Sequence, residues 1–281
     1  MNMMQDDAYH DAVVNSNDLV GLFKIWQKKR PSELLTYVDE HSECKFSIDH
    51  AKKGFISDGV ISPDEWSNQG VKILFVLKEA YNDNVSKYNL CDNLRKDGPW
   101  GGVWNRCAEW CYGVTSANQV CPIPRYKTLS HGAANQYLKR MAVVNLKKSD
   151  GNSSSSMPEI EQYVEYDKEE IRREIEIINP QIVICGSVFY LLQRHIYGDS
   201  LLGGGEFAGK WNDNWYYWTT ALTGRPTLVI DFYHPANHFP AVLNYYALMG
   251  VYHQAIHDQA RIESVGRPQW LQRYVAEDSN G

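Results

Sequence analysis

The sequence predicts an α/β protein, a three-layer αβα sandwich around a mostly parallel four-stranded sheet, preceded by a helical extension. Three observations carry this expectation. Four short apolar runs occur at 71–77 ("VKILFVL"), 141–146 ("MAVVNL"), 180–186 ("PQIVICG") and 226–233 ("PTLVIDFY"). They are rich in β-branched and aliphatic residues and are apolar nearly throughout, the pattern of strands buried on both faces. Segments of helical spacing separate them, and strand-helix alternation of this kind builds a parallel sheet covered on both sides.

In chain order, Ser16 or Asn17 caps a segment that places Leu19, Leu22, Phe23 and Trp26 on one face. Pro31 is suited to open a second helix carrying Leu34, Leu35 and Val38. Asp-Gly and Ser-Pro turn signals at 58–63 lead into the first strand. After it, "VWNRCAEWCYGV" (103–114) has helical spacing. The low-complexity stretch "GNSSSSMP" (151–158) follows the second strand and reads as a loop. "DKEEIRREIEII" (167–178) is a charged amphipathic helix, "SVFYLLQRHI" follows the third strand as a helix, and a last helix is expected from about 239 to 255. The implied organisation is a helical extension over 1–70, a core domain over 71–260 and a tail over 261–281.

Composition narrows the function classes. At 43% hydrophobic and 22% charged residues the chain has the make-up of an ordinary globular protein. No apolar run reaches the roughly 18 residues needed to span a bilayer, and the polar start lacks signal-peptide character, so a cytoplasmic protein is expected. The six cysteines form no tight framework and read as reduced thiols. A net charge of −6 weighs against an overall basic, nucleic-acid-coating surface, although basic clusters occur at 24–30, 125–127 and 139–148. There is no phosphate-cradling Gly-rich Lys-Ser/Thr loop and no Gly-x-Ser-x-Gly elbow, which sets nucleoside triphosphatases and ordinary serine hydrolases aside.

In open α/β sheets, ligands lie beyond the carboxyl ends of the strands. Three polar segments converge there: "KEAYNDN" (78–84) after strand one, "NLKKSDG" from Asn145 in strand two, and "YHPANHF" (233–239) after strand four. His234 is either a turn histidine under Pro235 or a hydrogen-bond donor in a site. Its spacing of four from His238 also admits a metal pair, which the intervening proline and the lack of a neighbouring Cys or carboxylate ligand disfavour.

These segments, in order, resemble the uracil-DNA glycosylase superfamily, nearest to its iron-sulfur branch. "ILFVLKEAYNDN" looks like the first motif, "GPWGGVWNRCAEW" the stacking loop and helix, and "AVVNLKK" the base-reading strand. "INPQIVICGSVFYLL" matches the Pro-strand-Gly-helix pattern, and "YHPANHF" the His-Pro-Ser motif. The resemblance spans about 71–240 and implies a monofunctional DNA glycosylase that flips a pyrimidine from DNA and hydrolyses its N-glycosidic bond. It further implies DNA as partner, a monomer with no obligatory protein partner, and no membrane association.

Carried over residue by residue, the resemblance implies Glu79 as the group that positions water or stabilises the cationic sugar, with Asp83 as runner-up or loop cap. His234 would donate to the departing base. Trp100 would stack on the base, the alternative being core packing, and Asn145 would read its edge, the alternative being a strand-end cap. Lys78, Tyr81 and Asn82 replace the family's two glycines and proline, so a bulkier loop borders the substrate and the base need not be uracil. Ser187 and Asn237, with Lys147 and Lys148, are the expected DNA contacts, Ser187 having helix capping as its alternative. Where the iron-sulfur branch has a cluster cysteine this chain has Ser149, so no cluster, metal or other cofactor is expected. Some superfamily members act in phage defence on hypermodified cytosine, such as glucosylated hydroxymethylcytosine. The aromatic run 211–220 and the glycines 203–205 suggest a remodelled pocket. A base-reading protein without hydrolysis is the alternative.

Overall fold

The computed structural model describes residues 3–39, 42–52, 54–81, 87–151, 155–204 and 214–274. The N-terminal part forms α1 (Met3–Val14), α2 (Leu19–Trp26), a hairpin of β1 (Leu35–Asp39) and β2 (Ser42–Phe46), then β3 (Ile56–Ser57), β4 (Gly59–Val60) and α3 (Pro63–Asn68). The central part follows with β5 (Ile73–Tyr81), β6 (Tyr88–Asn89), α4 (Leu90–Asp97), α5 (Gly101–Ser116), α6 (His131–Leu138), β7 (Met141–Gly151), α7 (Met157–Tyr166), α8 (Lys168–Ile178) and β8 (Ile182–Gly186). Last come α9 (Phe189–Leu192) with a π-helical turn, β9 (Leu202–Gly204), β10 (Tyr216–Thr219), β11 (Thr227–Phe232), α10 (Ala241–His257), α11 (Gln259–Val265) and a 3₁₀ turn at Gln269–Tyr274.

The main sheet has seven strands in the order β4-β7-β5-β8-β11-β10-β9. The expected sheet of four strands is exceeded, but its centre, β7-β5-β8-β11, is parallel throughout and contains the four apolar runs. Three antiparallel edge strands extend it, β4 beside β7 and the β10-β9 pair beyond β11. Alternation along the strands divides the core. Ile73, Phe75 and Leu77 pack with residues of α4, α5 and α10, while Leu74 and Val76 pack with residues of α2, α7 and α8.

Two expectations for the N-terminal part are corrected. The stretch after Pro31 is the β1-β2 hairpin and not a second helix. Thr36, Tyr37 and Val38 are strong strand formers, and Tyr37 pairs with Cys44 and packs edge-on to Phe46 at 5.6 Å. Residues 1–70 are also not a separate extension. Helix α2 buries Leu22 and Trp26, β4 is an edge of the main sheet, and Lys29 bonds Glu170 of α8 at 2.9 Å. The segment 261–274 likewise buries Ile262, Trp270 and Leu271 in the core, so the boundary expected at 260 does not hold for these residues.

Of the stretch 203–220 expected to form a pocket, Gly204, Asn214 and Tyr216 border a cleft of about 590 Å³ beside α10. Residues 205 and 211–213 lie outside the described residues. Gly203 and Gly204 are in β9, and Tyr216, Tyr217 and Trp218 are buried strand residues of β10. They build the sheet edge. No helix is long and apolar enough to cross a membrane among the described residues.

Candidate active site

Connections leave β5 toward the α4-α5 face and β7 toward the α7-α8 face, which opens a crevice at the carboxyl ends of these two strands. A cavity of about 510 Å³ fills it. Its lining includes Lys78, Glu79 and Tyr81 from β5, Trp100 ahead of α5, Asn145 from β7 and His234 after β11. Tyr88, Trp104 and Ser155 complete much of the wall. Two other clefts are larger, about 990 Å³ beside Lys28, Tyr166 and Glu169 and about 590 Å³ beside Tyr216 and His257. Size does not decide the matter: on the strand-end cavity a carboxylate, an imidazole, an amide and an indole converge at the carboxyl ends of the parallel strands.

Strand register sets the carboxylate. Leu77 lies opposite Asn145 and Glu79 opposite Lys147 in the β5-β7 ladder. Lys147 Nζ donates to Glu79 Oε2 at 3.0 Å and lies 3.0 Å from Glu159 Oε1 on α7. Burial works to lower the Lys147 pKa, but the two carboxylates outweigh it and hold the ammonium above its ordinary value. Glu79 is thereby fixed beside a cation, with Oε1 carrying no hydrogen bond among the described residues. Gly151 leaves the room for it, since a Cβ there would sit 2.7 Å from Glu79 Cγ and 2.6 Å from the Ala80 carbonyl oxygen.

The imidazole is set by the loop after β11. The His234 N–H donates to Ser187 Oγ at 2.8 Å, and the Ala236 N–H donates to His234 Nδ1 at 3.1 Å. An Nδ1 that accepts is unprotonated, so the neutral ring carries its proton on Nε2. Burial, with the Lys78 charge beside it, pushes the His234 pKa down to about 4. The ring is therefore a neutral Nε2–H donor at neutral pH. Arg106 of α5 braces this loop by donating to the carbonyls of Pro235 at 2.7 Å and Asn237 at 2.9 Å. Gly186, at the end of β8, allows the close approach, since a Cβ there would lie 2.8 Å from Leu77 Cδ2 and 3.4 Å from His234 Cδ2. Gly186→Ala should leave the protein folded and slow any His234-dependent turnover by about 10- to 100-fold, measured as kcat beside the thermal midpoint.

The amide is set from the N-terminal part. Asp58, between β3 and β4, accepts from the Asn145 backbone N–H at 2.7 Å and from Asn145 Nδ2 at 3.1 Å, both on Oδ2. Its Oδ1 accepts from Lys148 Nζ, which also donates to Glu174 at 3.0 Å. Trp100 is 43% exposed on the cavity wall, its ring 6.2 Å from Trp104, which sets aside core packing as its role. Tyr81 stands at the rim, 60% exposed.

Three expected DNA contacts are corrected, those of Lys147, Lys148 and Asn237. Lys147 and Lys148 are 3% and 0% exposed, respectively, and are consumed by Glu79, Glu159, Asp58 and Glu174. Buried, paired ammonium groups do not reach a phosphate. The Asn237 side chain bonds Asn244 at 3.0 Å and the His234 carbonyl at 2.8 Å, so it shapes the loop. Ser187 does not cap a helix by its side chain; its Oγ accepts the His234 N–H, which leaves the hydroxyl proton to donate elsewhere. Asn82 and Asp83 lie outside the described residues. Six free cysteines are present, and burial pushes the Cys107 and Cys111 thiols up, keeping them protonated. No group of three or more metal-ligating side chains occurs among the described residues, and Ala236 occupies the Nδ1 of His234.

Sequence reasoning missed Asp58, Arg106 and Glu159. Asp58 sits in an Asp-Gly pair that reads as a turn, and nothing local signals its partner 87 positions away. Arg106 carries no signal beyond its place on a helix that abuts the site.

What this arrangement can do is specific. A neutral donor and a fixed carboxylate share one cavity wall with a stacking ring and an amide. Such a set stabilises negative charge at one end of a planar ligand and positive charge at the other. The fold and the site thus define a mixed α/β protein with a built strand-end pocket. No protein-family model matches the chain, and no curated protein matches it either.

Proposed function

We propose that the chain is a DNA glycosylase which draws a pyrimidine out of DNA and hydrolyses its N-glycosidic bond, leaving an abasic site. The observation that carries this reading is the convergence of Glu79, His234, Asn145 and Trp100 on one cavity at the carboxyl ends of the parallel strands. Helices on both faces of the sheet suit the three-layer αβα sandwich of such enzymes.

The chemistry follows from the site. An extruded base stacks on Trp100 and presents its edge to Asn145. As the bond to the sugar lengthens, negative charge grows on the pyrimidine O2, and the neutral His234 Nε2–H supplies a preorganised donor there. Positive charge grows on the sugar, and the Glu79 carboxylate stabilises it and orients the attacking water through Oε1. Exposed rings at Tyr81, Tyr233 and Phe239 offer flat faces to flanking bases. The cavity of about 510 Å³ and the bulky Lys78-Tyr81 border fit a substrate larger than uracil, such as glucosylated hydroxymethylcytosine of viral DNA, with antiviral defence as the setting.

A second reading, base recognition without hydrolysis, is favoured by one observation: Lys147 occupies Glu79 Oε2. One experiment separates the two. The protein is incubated with defined oligonucleotides containing uracil, cytosine, hydroxymethylcytosine or its glucosylated form, then treated with alkali. The glycosylase reading expects strand scission at one of these bases and recovery of the free base. Binding without scission on every substrate would support the second reading and overturn the first.

A further inference from the structure

We propose that Asp58 is a positioning residue for base reading: its carboxylate turns the Asn145 amide so that the NH2 faces inward and Oδ1 is offered to the base. The inference rests on the glycosylase reading for its functional consequence and on geometry alone for its structural one.

A carboxylate only accepts hydrogen bonds, so the Asn145 atom 3.1 Å from Asp58 Oδ2 must be the amide nitrogen. The alternative rotamer would set two acceptors against each other in a buried site, where an unsatisfied polar contact is costly. The same oxygen takes the Asn145 backbone N–H at 2.7 Å, which ties the carboxylate to the strand and not only to the side chain. On its other side Lys148 donates to Asp58 Oδ1 and to Glu174, and neither Asp58 nor Lys148 touches solvent with its side chain. Burial works to lower the Lys148 pKa, but Asp58 and Glu174 outweigh it and keep the ammonium charged. Asp58 therefore has a permanent counter-charge and a single orientation.

The consequence concerns specificity. With one amide proton spent on Asp58, Oδ1 and the second Nδ2–H are the Asn145 groups without a partner among the described residues. Oδ1 accepts, so at its position the fixed amide selects a base group that donates: the N3–H of a uracil-type base or the exocyclic amine of a cytosine-type base. A pyrimidine methylated at that donor loses the contact. Asn145 by itself would read either polarity, because its amide can flip. Asp58 removes that ambiguity.

A double-mutant cycle on the full chain tests this. Asp58→Asn, whose own amide can donate or accept, should lower kcat/KM for base release by about 10- to 100-fold, as for loss of a hydrogen bond to a charged group. Asn145→Ala should cost at least as much, and the double variant should be no worse than Asn145→Ala alone. Affinity for a duplex carrying a tetrahydrofuran abasic site, which has no base to read, should be unchanged in Asp58→Asn. Losses that multiply in the double variant, or a parallel loss of abasic-site binding, would overturn the proposal.

Asp58→Asn leaves Lys148 with Glu174 as its one carboxylate. If that variant does not fold, adding Lys148→Met removes the buried cation, and the cycle is repeated in that background. Burial pushes the Glu174 carboxyl well above the usual range, so it is tolerated there as a neutral acid. If the wild-type protein releases no base at all, the glycosylase reading fails by itself. Asp58 is then judged by NMR of the Asn145 side-chain amide, whose protons should exchange slowly in wild type and rapidly in Asp58→Asn. Equal exchange in the two proteins overturns the positioning role.

Discussion

Glu79→Gln should lower the single-turnover rate of base release by about 10³-fold while leaving affinity for abasic-site DNA within about 2-fold of wild type. The substitution keeps shape and removes charge. In the native site Lys147 sits 3.0 Å from Oε2, so the carboxylate faces the cavity with its charge anchored at one oxygen and available at the other. Glutamine retains an acceptor for Lys147 but offers no anion to a developing oxocarbenium ion. An intact binding constant with a collapsed rate places the loss in the transition state and not in the ground state. Equal rates for the two proteins would show that the Glu79 charge takes no part in the chemistry.

His234→Ala should cost about 10²- to 10³-fold in the same assay, the range found when one preorganised donor to a developing anion is removed. The pH behaviour should be distinctive. Because the ring is held neutral down to about pH 4, against 6.5 for an ordinary histidine, the rate should show no His234 limb between about pH 5.5 and 8. The folded pKa is depressed, so the unfolded chain takes up a proton first as pH falls. The stability linked to this group is complete above about 6.5 and is lost as pH drops toward about 4. Protonation at Nδ1 would also eject the Ala236 N–H and loosen the loop. Thermal midpoints of wild type and His234→Gln between pH 7 and 4 check this: the wild-type value should fall more steeply below 6.5, and parallel curves would contradict the assignment of a depressed His234 pKa.

The parallel centre of the sheet was legible because its strands carry their own signal. Runs such as "ILFVL" and "IVICG" are apolar on both faces, and only a doubly covered strand requires that. The edges were not legible. Strand β4 is two residues long, and β10 lies in an aromatic run that suggests a pocket until Tyr216, Tyr217 and Trp218 find their partners in β11. The stretch after Pro31 reads as a helix because Leu34, Leu35 and Val38 fit a helical stripe, while the strand propensity of Thr36, Tyr37 and Val38 points the other way. Pairing with Ser42–Phe46 decides between them.

The site shows the same division. Glu79, Asn145 and His234 follow recognisable strands, so their placement at one sheet edge could be read from the chain. Lys147 and Lys148 could not be placed correctly, since a basic pair after a strand looks like a solvent-facing cluster. Their burial depends on Asp58, Glu79, Glu159 and Glu174, which are scattered over more than a hundred positions and assembled by the fold alone. A buried ion pair broken at one end is strongly destabilising, which is why these lysines belong to the architecture of the site and not to an exposed basic surface.

The central claim is that this cavity hydrolyses an N-glycosidic bond with Glu79 and His234 as its working groups. The most direct measurement is single-turnover release of free base from end-labelled oligonucleotides carrying the candidate pyrimidines, run side by side for wild type, Glu79→Gln and His234→Ala. The account predicts base release with a matching alkali-labile site for wild type, and the losses given above for the two variants. Base release by the wild type at rates unchanged in both variants, or no release from any candidate, would contradict it.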